Sequence, residues 1–150
     1  MKRNDFKLIK PDLSYKEELL KFLEEIKKFD KNLKWQYSGM GDIEEWLKSI
    51  KNNSTEMFLM INEINEVIGM IDIRQNIDEY KDKYRGNIGA SIRPSKRNKG
   101  YGKILLELAL SKCRDFKMHK VVITCNEKNN TSRNLIENNG GIYIDSIKNK

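Results

Sequence analysis

The stretch "SIRPSKRNKGYGKILLELAL", residues 91–110, decides the fold. An apolar run closed by Pro94 reads as the end of a strand, since proline cannot donate to a ladder. Ile104, Leu105, Leu106, Leu108, Ala109 and Leu110 read as a helix that is apolar over most of its circumference and so lies against a sheet. Between the two, Arg97, Lys99 and Lys103 crowd around Gly100 and Gly102. The start of a helix carries partial positive charge and unpaired N–H groups, which favour acids over bases. The cluster therefore calls for a strong anion from outside the chain, held by consecutive N–H groups that the glycines leave accessible.

Outward from this loop, "GNIGASIRP" (86–94) is a strand and the helix runs from about Gly100 to Phe116. "KVVITC" (120–125) is a continuous apolar strand, the pattern of burial on both faces. The three form a strand–helix–strand crossover, expected to be right-handed and to join parallel strands. "EMFLMIN" (56–62) and "EVIGMIDIR" (66–74) read as an antiparallel hairpin. Upstream, "FKLI" (6–9) is a first strand. Ser14 with Glu17 makes a capping box for a helix carrying Leu19, Leu20, Leu23, Ile26 and Phe29, and Asp42 with Glu45 opens a second through Trp46, Leu47 and Ile50. "NNTSRNLIENNGG" (129–141) is a helix ending on glycine, and "IYIDSI" (142–147) a last strand. The order βααβββαβαβ predicts one α/β domain over 1–150, a mixed sheet flanked by helices. Ligands in such sheets sit beyond the carboxyl ends of the parallel strands, here around 92–103 and 125–132.

Composition narrows the function classes. The chain has 150 residues, 38% hydrophobic and 34% charged, as expected of a globular protein. No apolar run suits a membrane helix, and "MKRNDFKLIKPD" has no apolar core for a secretion signal, so the expected location is cytoplasmic. Net charge is +7, from 29 basic and 22 acidic residues. Lysines mixed with glutamates, as in "YKEELLKFLEEIKKFD", read as a solvated surface. Arg93 to Lys103 is the one basic block without an acid, so a nucleic-acid-binding module is the rival from another class. Cys113 and Cys125 form no CxxC pair and read as small buried hydrophobes. With the single His119 they make no metal site.

Two phosphate motifs fail at the loop. GxxxxGK[ST] would need glycine at Arg97 and a hydroxyl at Ile104. GxGxxG would need glycine at Leu105 and an acid at a strand end some 20 residues on. What the stretch does resemble is the acetyl-CoA-binding segment of the GNAT superfamily of N-acetyltransferases, [RQ]-x-x-G-x-[GA], with Arg97, Gly100 and Gly102. "NNTSRNLIENNGG" is similar to that superfamily's N-x-x-[AS]-x-x-L-[YI]-E-x-x-G, with Asn129, Ser132, Leu135, Glu137 and Gly140. Two segments in the right order at the right spacing make the resemblance specific over most of the chain.

The resemblance implies an acetyl-CoA-dependent transfer to a small-molecule or peptide amine, by direct attack on the thioester and without a metal. Backbone N–H groups of Arg97, Asn98, Lys99, Gly100, Tyr101, Gly102 and Lys103 would cradle the pyrophosphate. Ile92 and its neighbours would bond the pantetheine arm, and Asn129 with Ser132 would line the far side. A backbone N–H near Ser91 or Ile92 would polarise the carbonyl. The usual thiolate acid, a tyrosine, is replaced by Ile136; Tyr101 and Tyr143 are poor substitutes. Asp72, among apolar neighbours, is the candidate base, ahead of Glu127 and Asp78, with water as the other proton acceptor. Its rival reading is an ordinary carboxylate that pairs with a lysine or faces solvent. His119 lies at the opposite end of its strand. By analogy the acceptor meets "WQYSGMG" (35–41), where Trp35 and Tyr37 can flank an amine. A further strand after Ile147, usual in such proteins, is missing, and an open edge favours a homodimer. The replaced tyrosine also leaves open a coenzyme A-binding sensor without turnover.

Overall fold

Helix α1 (Lys16–Phe29) buries Leu19, Phe22, Leu23 and Ile26 in a computed structural model that describes residues 2–29, 40–51, 55–77 and 85–144. These positions recur every three or four residues and make one helical face. Glu17 and Glu18 occupy the first turn and Lys27 and Lys28 the last, each matched to the helix dipole. The expected cap at Ser14 falls two residues earlier. Asp12 accepts the Ser14 N–H at 2.8 Å and holds a short 3-10 turn, Leu13–Tyr15, ahead of the helix. Leu20 and Phe29, expected on the apolar stripe, are exposed. Helix α2 (Ile43–Lys51) is capped as expected by Asp42, which accepts from the Glu45 N–H at 3.2 Å.

Strands β1 (Lys7–Ile9), β2 (Glu56–Ile61), β3 (Val67–Ile73) and β4 (Ile88–Ile92) form one sheet in sequence order. Every pairing is antiparallel. Helices α1 and α2 cover one face, against Leu59, Ile61, Val67 and Met70. Helix α3 (Tyr101–Asp115) covers the other, with Ile104, Leu105, Ala109 and Cys113 against Phe58, Met60, Ile68, Ile71, Ile73 and Ile88. A bulge opposite Met60 and Ile61 resets the alternation of β3, so that Val67 and Met70, three residues apart, share one layer and Ile68 and Ile71 the other. Helix α4 (Asn130–Asn138) follows, ending the described elements.

Two expected strands are not formed among the described residues. Segment 120–125 joins no ladder; Val121 to Ile123 are half-buried, and Thr124 and Cys125 are exposed. It is not buried on both faces, and Cys125 is not a core residue. It meets the sheet at Asn87, which donates its N–H to the Val122 carbonyl at 2.7 Å. The expected parallel pairing with β4 stops there, so the ladder itself is antiparallel and not mixed. Ile142, Tyr143 and Ile144 are also outside any ladder and exposed, so Tyr143 is not strand packing; the rest of that expected strand lies outside the described residues. Among the described residues no helix is long and apolar enough to cross a membrane.

Candidate active site

Among the described residues β4 ends the ladder, and beyond Asn87 its far edge is left open. Arg74 donates its N–H to the Asn87 carbonyl at 2.7 Å and Arg93 donates to Ile68 at 2.9 Å. Hydrogen-bonded and non-hydrogen-bonded pairs alternate along antiparallel strands, so Gly89 and Ser91 also face β3. Ile88, Ala90 and Ile92 then turn their backbone groups to the open edge. Of the two donors expected near the acyl carbonyl, Ser91 spends its N–H inside the ladder and Ile92 does not. Arg97 reaches back and donates from Nε to the Ile92 carbonyl at 3.0 Å, tying the loop to that edge.

The loop itself is shaped by left-handed residues. After a 3-10 turn at Pro94–Lys96, Asn98 has φ 61° and Gly100 has φ 87°. Gly100 is the residue before α3, and it offers no side-chain cap; no acid stands in the first turn. The helix therefore opens with N–H groups that nothing in its own first turn satisfies. Lys99 and Lys103 are exposed and make no ion pair among the described residues. The ring of Tyr101 packs edge-on against Phe6, centroids 5.5 Å apart, so its side chain belongs to the core. Gly102 also has a packing reason: a Cβ there would lie 3.2 Å from Leu135 Cδ1 of α4.

The basic block is not free of acids once folded. Arg93 is buried and donates to Glu25 and, at 3.1 Å, to Glu18, both on α1. Ser95 donates its N–H to Glu25 at 2.8 Å, and Lys96 pairs with Glu66 at 3.6 Å. Burial would raise the Glu25 carboxyl, but hydrogen bonds from Ser95 and Arg93 outweigh it and hold it below its ordinary value. Burial would likewise depress Arg93, and Glu25 and Glu18 reverse the sign. These carboxylates are 68 and 75 residues away in sequence from Arg93, so reading the block locally missed them.

Asp72 pairs with an arginine, not a lysine. Its carboxylate lies 2.8 Å from Arg74 Nη2, and Arg74 Nη1 donates to the carbonyls of Arg85 and Gly86 at 3.0 and 2.9 Å. The pair leans across β4 at Gly89, where a Cβ would meet Arg74 Nη2 at 3.0 Å and Asp72 Cγ at 3.2 Å. Burial pushes the Asp72 carboxyl above its ordinary value, against the opposing pull of Arg74 and Arg85. Gly89, Arg74 and Glu25 were not singled out from the sequence. A glycine inside a strand is the one available signal, since it marks a close approach.

On the far side, Asn129 caps α4 by accepting from the Ser132 N–H at 3.1 Å. Its carboxamide oxygen is engaged in folding the chain, and Ser132 is half-buried beside it. Ile136 stands half-buried, while His119 and Glu127 are exposed. Trp35, Tyr37 and Asp78 lie outside the described residues.

A family model described as the acetyltransferase (GNAT) family matches residues 19–140. The chain belongs to this family. Solved structures with the same fold include the microcin self-immunity acetyltransferase MccE in complex with acetyl-CoA and AMP, at 21% identity and TM-score 0.64, covering 89% of this chain and 77% of that one. RimL, a ribosomal-protein alpha-N-acetyltransferase in complex with coenzyme A, aligns at 22% identity and TM-score 0.67 over 90% of this chain and 78% of its own. Glucosamine-6-phosphate N-acetyltransferase from Arabidopsis thaliana aligns at 17% identity and TM-score 0.65 over 97% and 96%. No curated protein sequence matches the chain. The GNAT assignment covers the open edge, the glycine loop and the whole of the second motif, Asn129 to Gly140.

Proposed function

We propose that this GNAT acetyltransferase carries an acetyl group from acetyl-coenzyme A to a primary amine of a small molecule or peptide, at the open edge of β4. The start of α3 carries the reading. It has no side-chain cap and no acid in its first turn, a glycine at positive φ before it, and two lysines without an ion pair among the described residues. A pyrophosphate fits that chemistry, because a helix N-terminus and nearby cations both favour anionic oxygens. MccE and RimL, solved with acetyl-CoA and coenzyme A, support the choice of donor.

In this reading the backbone of Arg97, Asn98, Lys99, Gly100, Tyr101, Gly102 and Lys103 binds the pyrophosphate, with charge from Lys99 and Lys103. The outward N–H of Ile92, and that of Ala90 two residues upstream, bind the pantetheine arm and the thioester carbonyl. Polarising that carbonyl from a fixed backbone donor costs no reorganisation during reaction. Ser132 lines the far side with the backbone near Asn129. The amine nitrogen bonds to the acetyl carbon, the carbon–sulfur bond breaks, and the sulfur leaves as thiolate. The amine's proton passes to Asp72, directly or through water. A raised carboxyl pKa suits that role, since a base works best when its pKa approaches the working pH. Trp35 and Tyr37 flank the acceptor.

Thermal unfolding with acetyl-CoA, ATP and NAD tests the donor. Acetyl-CoA at a hundred times its dissociation constant stabilises by about 2.7 kcal/mol, roughly 5–10 °C for a chain of this size. ATP and NAD should give no shift. Free thiol released only when an amine is added then separates turnover from a coenzyme A-binding sensor. No shift at millimolar acetyl-CoA overturns the reading.

A further inference from the structure

The open edge of β4 begins at an unusual junction. Gly86 has φ +65°, and a Cβ there would lie 2.5 Å from the Val122 carbonyl oxygen, so the position excludes any side chain. Asn87 is 4% exposed, and all four of its polar groups are engaged. Its N–H donates to the Val122 carbonyl at 2.7 Å and its own carbonyl accepts from Arg74 at 2.7 Å. Its Nδ2 donates to the Arg74 carbonyl at 2.8 Å, and its Oδ1 accepts the Val122 N–H at 2.7 Å. The carboxamide thus takes the bond that a backbone carbonyl of β4 would give Val122 if the two chains zipped into a ladder. With that N–H satisfied, nothing at Val122 calls on the outward groups of β4.

We propose that Asn87 is a positioning residue for acetyl transfer: its carboxamide clasps Val122, ends the pairing there and keeps the outward N–H groups of Ala90 and Ile92 open. This rests on the proposed use of that edge for acetyl-coenzyme A. It predicts a defect confined to the pantetheine arm, because the phosphate loop is built separately from residues 93–103.

Calorimetric titration with acetyl-CoA and with adenosine 3′,5′-bisphosphate, which lacks the pantetheine arm, tests this on the whole chain. Asn87→Ala should weaken acetyl-CoA about tenfold and change the bisphosphate by less than about twofold, the scale of one lost hydrogen bond. Leu23→Ala, a core truncation on α1, should lower the melting temperature and leave both affinities alone. If Asn87→Ala does not fold, Asn87→Gln, which displaces the carboxamide by a methylene, takes its place with the same expectation. Unchanged acetyl-CoA affinity or equal loss of both ligands overturns the clasp. A wild-type chain that binds neither ligand overturns the reading of the site itself, a different and distinguishable failure.

Discussion

Asp72 and Gly89 are register partners across β3 and β4, and the Asp72 carboxylate fills the space that a side chain at 89 would need. The pair with Arg74 can lean toward the open edge only because residue 89 has no Cβ. Gly89→Ala should push the carboxylate aside with little effect on the coenzyme loop. We expect kcat for acetyl transfer to fall about 10- to 100-fold, the scale of a misplaced reacting group, with the dissociation constant for acetyl-CoA nearly unchanged. Steady-state kinetics beside direct titration separates the two.

Removing the charge itself gives a sharper test. Asp72→Asn should lower kcat by about a hundredfold or more, as expected for loss of a general base. The sign of the pH dependence follows from burial, which raises the Asp72 carboxyl. A base must be deprotonated, so activity falls as pH drops through that raised value, earlier than an ordinary carboxylate would allow. The acid limb of kcat/KM should disappear in Asp72→Asn. A limb that persists unchanged assigns the titration to another group.

The difference between what the sequence shows and what the fold adds lies in range. The glycine loop, α3, the β2–β3 hairpin and the cap at Asp42 are local patterns of period and turn chemistry, and all were legible. The cap at Ser14 was misplaced because Asp12 competes for the same N–H, two residues away. Segment 120–125 has the composition of a buried strand, yet its pairing depends on Asn87, 35 residues upstream of Val122. Long-range partners also decide the basic block: Arg93 looks like part of an anion site until Glu18 and Glu25 close on it.

That Arg93 cluster predicts an acid response. The Glu25 carboxyl is held below its ordinary value in the folded chain. Its stabilising contribution is therefore fully present above the unfolded carboxyl pKa and is lost as pH falls through the folded one. Melting temperature should drop on acidification from about pH 6 to pH 3, across the ordinary carboxylate value near 4.3, and Glu25→Gln should flatten part of that drop. Arg93→Met leaves Glu18 and Glu25 facing each other without their cation. It should cost about 3–5 kcal/mol, the range for breaking a buried pair from one side. Equal acid sensitivity in wild type and Glu25→Gln would remove the cluster from this role.

Gly100→Val separates the two chemistries that a basic loop can serve. At φ 87° a β-branched residue is strained, by about 1–2 kcal/mol, and its methyl groups would stand among the N–H groups that open α3. Acetyl-CoA binding should be abolished, while the melting temperature of the unliganded chain falls by only a few degrees. Lys99→Ala and Lys103→Ala should weaken acetyl-CoA more at low salt than at high, because exposed charges act through a screened field. A nucleic-acid site on the same block behaves otherwise. Its affinity comes from summed cations, falls steeply with salt and survives Gly100→Val. With Arg93 turned inward to α1 and Lys96 paired to Glu66, fewer cations remain for such a site. Unchanged acetyl-CoA affinity in Gly100→Val would move the cofactor away from this helix start.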